Sequence, residues 1–140
     1  MSVVIDASIA LSWVLPGEKA SPSLTLRDKL VDSPETGRLL VPPNYWYEVA
    51  NTLWVAVRRE RITQATATEM LDSLLEFQFT VWPVEPSVCL DLSFQLGFAV
   101  YDSAYLALAL EQNSILWTLD RALAEAAGRL NVAVEPVFER

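Results

Sequence analysis

The 140 residues contain no histidine. Ser-His-Asp and Cys-His hydrolytic machinery and histidine-ligated zinc are therefore excluded. A single cysteine, Cys89, rules out an internal disulfide, and its apolar, helical surroundings point to packing. Lysine occurs only at positions 19 and 29, and none of the four glycines belongs to a phosphate-binding loop. No apolar run approaches the roughly 20 residues of a membrane helix. The opening "MSVVIDAS" has no basic n-region, so the expected location is the cytoplasm, without membrane attachment. Basic residues are few: net charge is −8 and the pI is near 4.4. That balance argues against non-specific coating of nucleic acid, which needs many phosphate contacts. It is compatible with an enzyme that reaches a phosphodiester through a bound cation, and with a basic partner protein.

What is present is apolar and periodic. Hydrophobic residues make up 52% of the chain, enough for one core, and the length predicts a single domain spanning 1–140. Continuous apolar runs predict strands at 3–5, 38–43, 79–84, 114–120 and 132–137. Helical spacing predicts helices at 8–15, from Ser21-Pro22 to about 31, at 45–60, 63–77 and 87–96, from Asp102 to about 111, and at 121–128. Segment 32–37 reads as a loop, and Gly97 and Gly128 as helix stops. The core stripe of the 45–60 helix is Tyr45, Val49, Leu53 and Ala56. A second stripe on it, Tyr47, Asn51, Trp54 and Arg58, has the aromatic-plus-arginine character of an interface, with extra core packing as the other reading. Alternation of strands and helices gives an α/β class with a mainly parallel, helix-covered sheet.

Open α/β sheets place ligands beyond the carboxyl ends of their strands. Asp6 follows the first strand and Asp120 follows "ILWTL". If those strands are neighbours, the two carboxylates face each other. Asp102 heads the helix that leads into the Asp120 strand, and Glu48 sits among Tyr45, Trp46, Tyr47 and Val49, poor company for a lone charge. Each has a plainer reading: Asp6, Asp102 and Asp120 as helix caps, Glu48 as a helix-surface residue. Gathered at one sheet edge, four carboxylates repel, and the cluster favours a cation. The ligand set is all oxygen, which selects Mg²⁺ or Mn²⁺ over zinc. The chemistry such a centre supports best is phosphodiester hydrolysis.

Four segments carry a family resemblance over essentially the whole chain: "VVIDASIAL" (3–11), "VPPNYWYEVANTL" (41–53), "LGFAVYDSAYLALAL" (96–110) and "ILWTLDRAL" (115–123). In order and spacing the sequence resembles a PIN-domain nuclease of the VapC toxin type. The resemblance implies a three-layer α/β/α fold and a Mg²⁺- or Mn²⁺-dependent endoribonuclease. Asp6, Glu48, Asp102 and Asp120 match the family's acidic positions, and Ser8 and Thr118 match positions that often hold a small hydroxyl residue near the metal. Helix capping for Ser8 and a loop contact for Thr118 are their alternative readings. Ser103 stands where alanine is frequent, and Trp117 adds bulk before the "TLD" turn. The resemblance also implies an RNA substrate, a VapB-like antitoxin and a homodimer. Arg58, Arg59 and Arg61 form the main basic cluster, with Arg121 beside Asp120; these are the candidate RNA contacts, against a solvated helix end as the plainer account.

Two other nuclease or non-nuclease readings stay open at this level: a PIN-domain enzyme of RNA processing, and a catalytically silent binding protein on the same fold. A phosphoryl-receiver module wants a late lysine, and none follows Lys29. A haloacid-dehalogenase-type phosphatase wants a second aspartate where Ser8 stands.

Overall fold

The computed structural model describes residues 2–15, 24, 26–28 and 38–136. Pro16-Gly17, which the sequence reads as the stop of the 8–15 helix, the start and end of the 21–31 helix, the 32–37 loop and position 137 lie outside the described residues, although Leu24 and residues 26–28 are helical.

Five parallel strands form one sheet: β1 (Ser2–Ile5), β2 (Arg38–Val41), β3 (Phe79–Val81), β4 (Ile115–Trp117) and β5 (Val134–Glu135). Their order is β3-β2-β1-β4-β5. The chain winds outward from β1 to β3 on one side, then returns across β1 to build β4 and β5 on the other. The point where the winding reverses lies between β1 and β4, the place where the connections leaving the carboxyl ends of an open α/β sheet part to leave a crevice. Register is tight at this seam: Val3, Val4 and Ile5 face Ile115, Leu116 and Trp117, and the Asp6 amide donates to the Trp117 carbonyl at 3.1 Å.

Adjacent strand residues point to opposite faces. Val4 and Ile5 are both 0% exposed, so helices cover the sheet on both sides and the predicted layered α/β architecture is present. The helices with complete described boundaries are α1 (Ala7–Val14), α2 (Tyr45–Arg58), α3 (Gln64–Leu75), α4 (Pro86–Leu96), α5 (Val100–Gln112) and α6 (Arg121–Arg129). On α2 the stripe Tyr45, Val49, Leu53 and Ala56 is buried as its spacing requires. On α5 every residue from Ser103 to Ala109 is buried, because this helix packs on the sheet on one side and on α4 on the other. Ser103 at its core position is satisfied by the Ser93 hydroxyl of α4 at 2.8 Å. Gly97 closes α4 in the left-handed conformation, at φ +76°, which glycine adopts without strain. No described helix is long and apolar enough to cross a membrane.

Several expectations shift. β2 to β5 are shorter than their apolar runs, because the flanking residues fall outside the paired core, whereas β1 gains Ser2. Gly128 does not stop α6, which continues to Arg129 and ends at Leu130. The sequence reads Ala67, Met70, Leu71, Leu74 and Leu75 as the apolar stripe of α3, yet only Leu74 is fully buried; Ala67, Met70 and Leu71 are half-buried and Leu75 faces solvent. The second stripe of α2 is exposed along its length, with Tyr47 80% and Trp54 54% accessible, so extra core packing is excluded.

Candidate active site

The crevice is built from four pieces of backbone. β1 ends in Asp6, β4 runs into Thr118 and Asp120, α2 brings Glu48 in its first turn and α5 brings Asp102 in its first turn.

Asp6 is the innermost carboxylate, 5% exposed. It caps α1 by accepting from the Ile9 amide at 3.3 Å. The same oxygen, Oδ1, accepts from the Ser8 hydroxyl, and Oδ2 accepts from the Thr118 hydroxyl. Both hydroxyls are themselves tied to β4's turn. Ser8 Oγ accepts from the Leu119 amide at 3.0 Å, and Thr118 Oγ1 from the Asp120 amide at 2.9 Å. The turn and the carboxylate are thus cross-linked twice. Ser8 is no helix cap, and Thr118 reaches across the seam as well as back to its own turn. Burial pushes the Asp6 carboxyl up to about 6; the hydroxyls and the Ile9 amide oppose the rise, and the Asp120 charge adds to it.

Asp120 is exposed and caps α6, accepting from the Leu123 amide at 3.1 Å. Asp102 is half-buried. It does not cap its helix: α5 begins at Val100 with Ala99 as its cap, and Asp102 is the third residue in. Its carboxylate is released from the role that a short polar side chain at a helix start ordinarily takes, while remaining favourably placed against the helix dipole. Burial raises its pKa, and the Asp120 charge raises it further. Glu48 is half-buried and accepts from the Tyr105 hydroxyl at Oε2. Burial raises its pKa, the Tyr105 and Asn44 side chains oppose the rise, and Asp102 adds to it. Asn44 makes no cap bond for α2 and instead donates to the Tyr101 carbonyl at 3.3 Å.

The four acids therefore influence one another in series: Asp6 with Asp120, Asp120 with Asp102, Asp102 with Glu48. They ring the crevice without closing on a point. Among the described residues, no three carboxylate or cysteine side chains form a ready-made metal cage. The donor chemistry nonetheless fits a hard divalent cation: oxygen only, mutually repelling, and graded from buried Asp6 to exposed Asp120.

Arg121 is exposed at the start of α6, next to Asp120. Arg58, Arg59 and Arg61 are exposed at the far end of α2, and ten residues of helix separate Arg58 from Glu48, about 15 Å along the axis. The fold does not bring them to the crevice. The Arg58 guanidinium lies over the Trp54 ring, 4.8 Å from its centre.

Sequence reasoning passed over two residues at this site, Asn44 as a cross-link and Tyr105. A signal existed for the second. A tyrosine at 105 in a run as apolar as "AYLALAL" buries its ring, and a buried phenol needs a partner.

The family model for the PIN domain matches residues 3–129. Ribonuclease VapC3 of Pyrobaculum aerophilum is 34% identical over 129 residues, 89% of this chain and 94% of that protein. The crystal structure of PAE2754 from the same organism superposes with a TM-score of 0.71 at 25% identity, covering 96% of this chain and 83% of that one. VapBC2 from Rickettsia felis, solved bound to a DNA fragment from its promoter, superposes at 0.64 with 12% identity, covering 96% and 98%; that likeness is one of fold.

Proposed function

Because the chain belongs to the PIN-domain family, we propose that it is a Mg²⁺- or Mn²⁺-dependent endoribonuclease, the toxin of a VapBC-type pair. The observation that carries this reading is the series of four carboxylates drawn from four elements to the reversal point of one parallel sheet.

Asp6, Glu48, Asp102 and Asp120 are the residues that would hold the ion. The chemistry the ion supplies when bound is activation of water and stabilisation of the departing oxygen in phosphodiester hydrolysis. The chain's own contribution is positional. Ser8 and Thr118 hold Asp6 by both oxygens, and Asp120 is presented on an exposed turn at the head of α6. Arg121, at the rim, is the arginine best placed to meet an RNA phosphate.

Partnership with a VapB-like antitoxin is supported by the relative solved as a VapBC pair and by the net charge of −8, which suits a basic partner. Homodimer formation is supported by large apolar side chains left in solvent on α4 and α5, Phe94 at 76% and Tyr101 at 65%.

The test is cleavage of RNA by the purified protein with Mn²⁺ or Mg²⁺, before and after EDTA. Cleavage that survives chelation, or an Asp102→Asn variant that cuts like wild type, overturns the metal mechanism. Cleavage without growth arrest on expression keeps the nuclease and assigns it to RNA processing. No cleavage and no Mn²⁺ uptake leaves a silent binding protein.

A further inference from the structure

Two side-chain links join the amino-terminal ends of α2 and α5. Asn44 Nδ2 donates to the Tyr101 carbonyl, and the Tyr105 hydroxyl donates to Glu48 Oε2. Both links connect residues 57 apart in sequence. On each helix the second link lies four residues, about one turn, beyond the first. The pair therefore holds the two helices in one register and one direction at the mouth of the crevice.

The partners at the inner link are unequal in freedom. Tyr105 is 2% exposed, its ring buried in the core. Glu48 is half-buried on a flexible stem, with several rotamers open to it. A fixed phenol selects one of them. Tyr45 does not compete, since its own hydroxyl is buried without a hydrogen-bond partner. Tyr105 also stands three residues after Asp102, on the same face of α5. One helix thus carries one acid of the site and the tether of another.

We propose that Tyr105 is a positioning residue: its hydroxyl fixes the Glu48 carboxylate relative to Asp102, so that the two can bind one divalent cation together. Asn44 is the outer brace of the same joint. The proposal rests on the metal-site reading above.

The test is a calorimetric titration of Mn²⁺ into the full-length metal-free protein, for wild type, Tyr105→Phe, Glu48→Ala and the double variant, with thermal unfolding run in parallel. Phenylalanine keeps the ring and removes only the donor. Tyr105→Phe should stay folded and bind Mn²⁺ roughly tenfold more weakly, the size usual for loss of a group that orients a ligand. In the Glu48→Ala background the same substitution should change Mn²⁺ binding no further, because its recipient is gone. Unchanged affinity in Tyr105→Phe, or an equal loss in both backgrounds, overturns the positioning role while leaving the metal site standing. A wild-type protein that takes up no Mn²⁺ overturns the metal reading and the positioning role with it. If the phenylalanine variant does not fold, Asn44→Ala replaces it: a smaller loss of Mn²⁺ affinity supports the joint, and none overturns it.

Discussion

The two sides of the acidic crevice are held by different means. On the strand side, Asp6 is buried and bonded through both carboxylate oxygens, and its partners Ser8 and Thr118 are pinned in turn by amides of the β4 turn. On the helix side, Glu48 is half-buried and held by one phenol that reaches across from another helix. The first arrangement is a closed network around a group that burial would otherwise neutralise. The second is a tether on a flexible stem, with the Asn44 side chain beside it. A closed network resists rearrangement and is sensitive to any missing member. A tether tolerates neighbours moving and acts only through the group it holds. The site thus combines one rigid acid with acids that have freedom to close around a ligand.

The largest expected effect comes from the freer side. Asp102→Asn removes a charge from the series without disturbing a cap, so the fold should persist while metal-dependent RNA cleavage falls by about a hundredfold or more. Gel assays beside a circular-dichroism spectrum check both halves of that statement, and an unfolded variant would show that Asp102 is needed for the fold after all.

On the rigid side the effects appear in stability. The Asp6 carboxyl is raised from 3.8 to about 6, so the folded protein keeps a proton that the unfolded chain has released. Its favourable contribution is complete below pH 3.8 and is lost as pH rises through 6, on the order of 3 kcal/mol in all. Urea unfolding of the metal-free protein between pH 4 and 8 should show that loss in wild type and a flatter profile in Asp6→Asn. Parallel profiles would mean that Asp6 titrates in the fold as it does in the open chain. Thr118→Val keeps the shape, removes a donor to Asp6 and strands the Asp120 amide. It should cost about 1–3 kcal/mol of stability at neutral pH, measured the same way.

The smallest effect should come from Tyr45→Phe. The hydroxyl removed is buried without a hydrogen-bond partner, so urea unfolding should show no loss and even a slight gain. A clear loss of stability would reveal a partner for that hydroxyl, a bound water being the simplest.

The rigid side was the more legible in the sequence. Asp6 and Asp120 each follow an apolar run, and the run says where the strand's carboxyl end lies. The core stripe of α2 was equally readable, since helical spacing and burial are one fact seen twice. Asp102 shows the limit. An aspartate before an apolar stretch reads as a cap, yet Val100 and Tyr101 enter the helix ahead of it, because Ala99 in an extended conformation starts α5 two residues early. Capping choices are decided by differences of about 1 kcal/mol, and tertiary packing of an otherwise buried helix outweighs them. The Tyr105–Glu48 and Asn44–Tyr101 links were invisible for a different reason: they join distant segments, and no local pattern encodes which helix lands beside which. Arg58, Arg59 and Arg61 carried a compositional signal that the geometry separates from the crevice.

The seam between β1 and β4 has a consequence for the order of events in the cell. The first strand is synthesised well before the fourth: the hydroxyl that completes its aspartate is 112 residues downstream. Until the Thr118 turn has been synthesised and has docked, Asp6 is an ordinary water-exposed carboxylate and the crevice has one wall. Such long-range closure is slow and late in folding. A chain that stops short of Thr118 therefore carries no assembled acidic site.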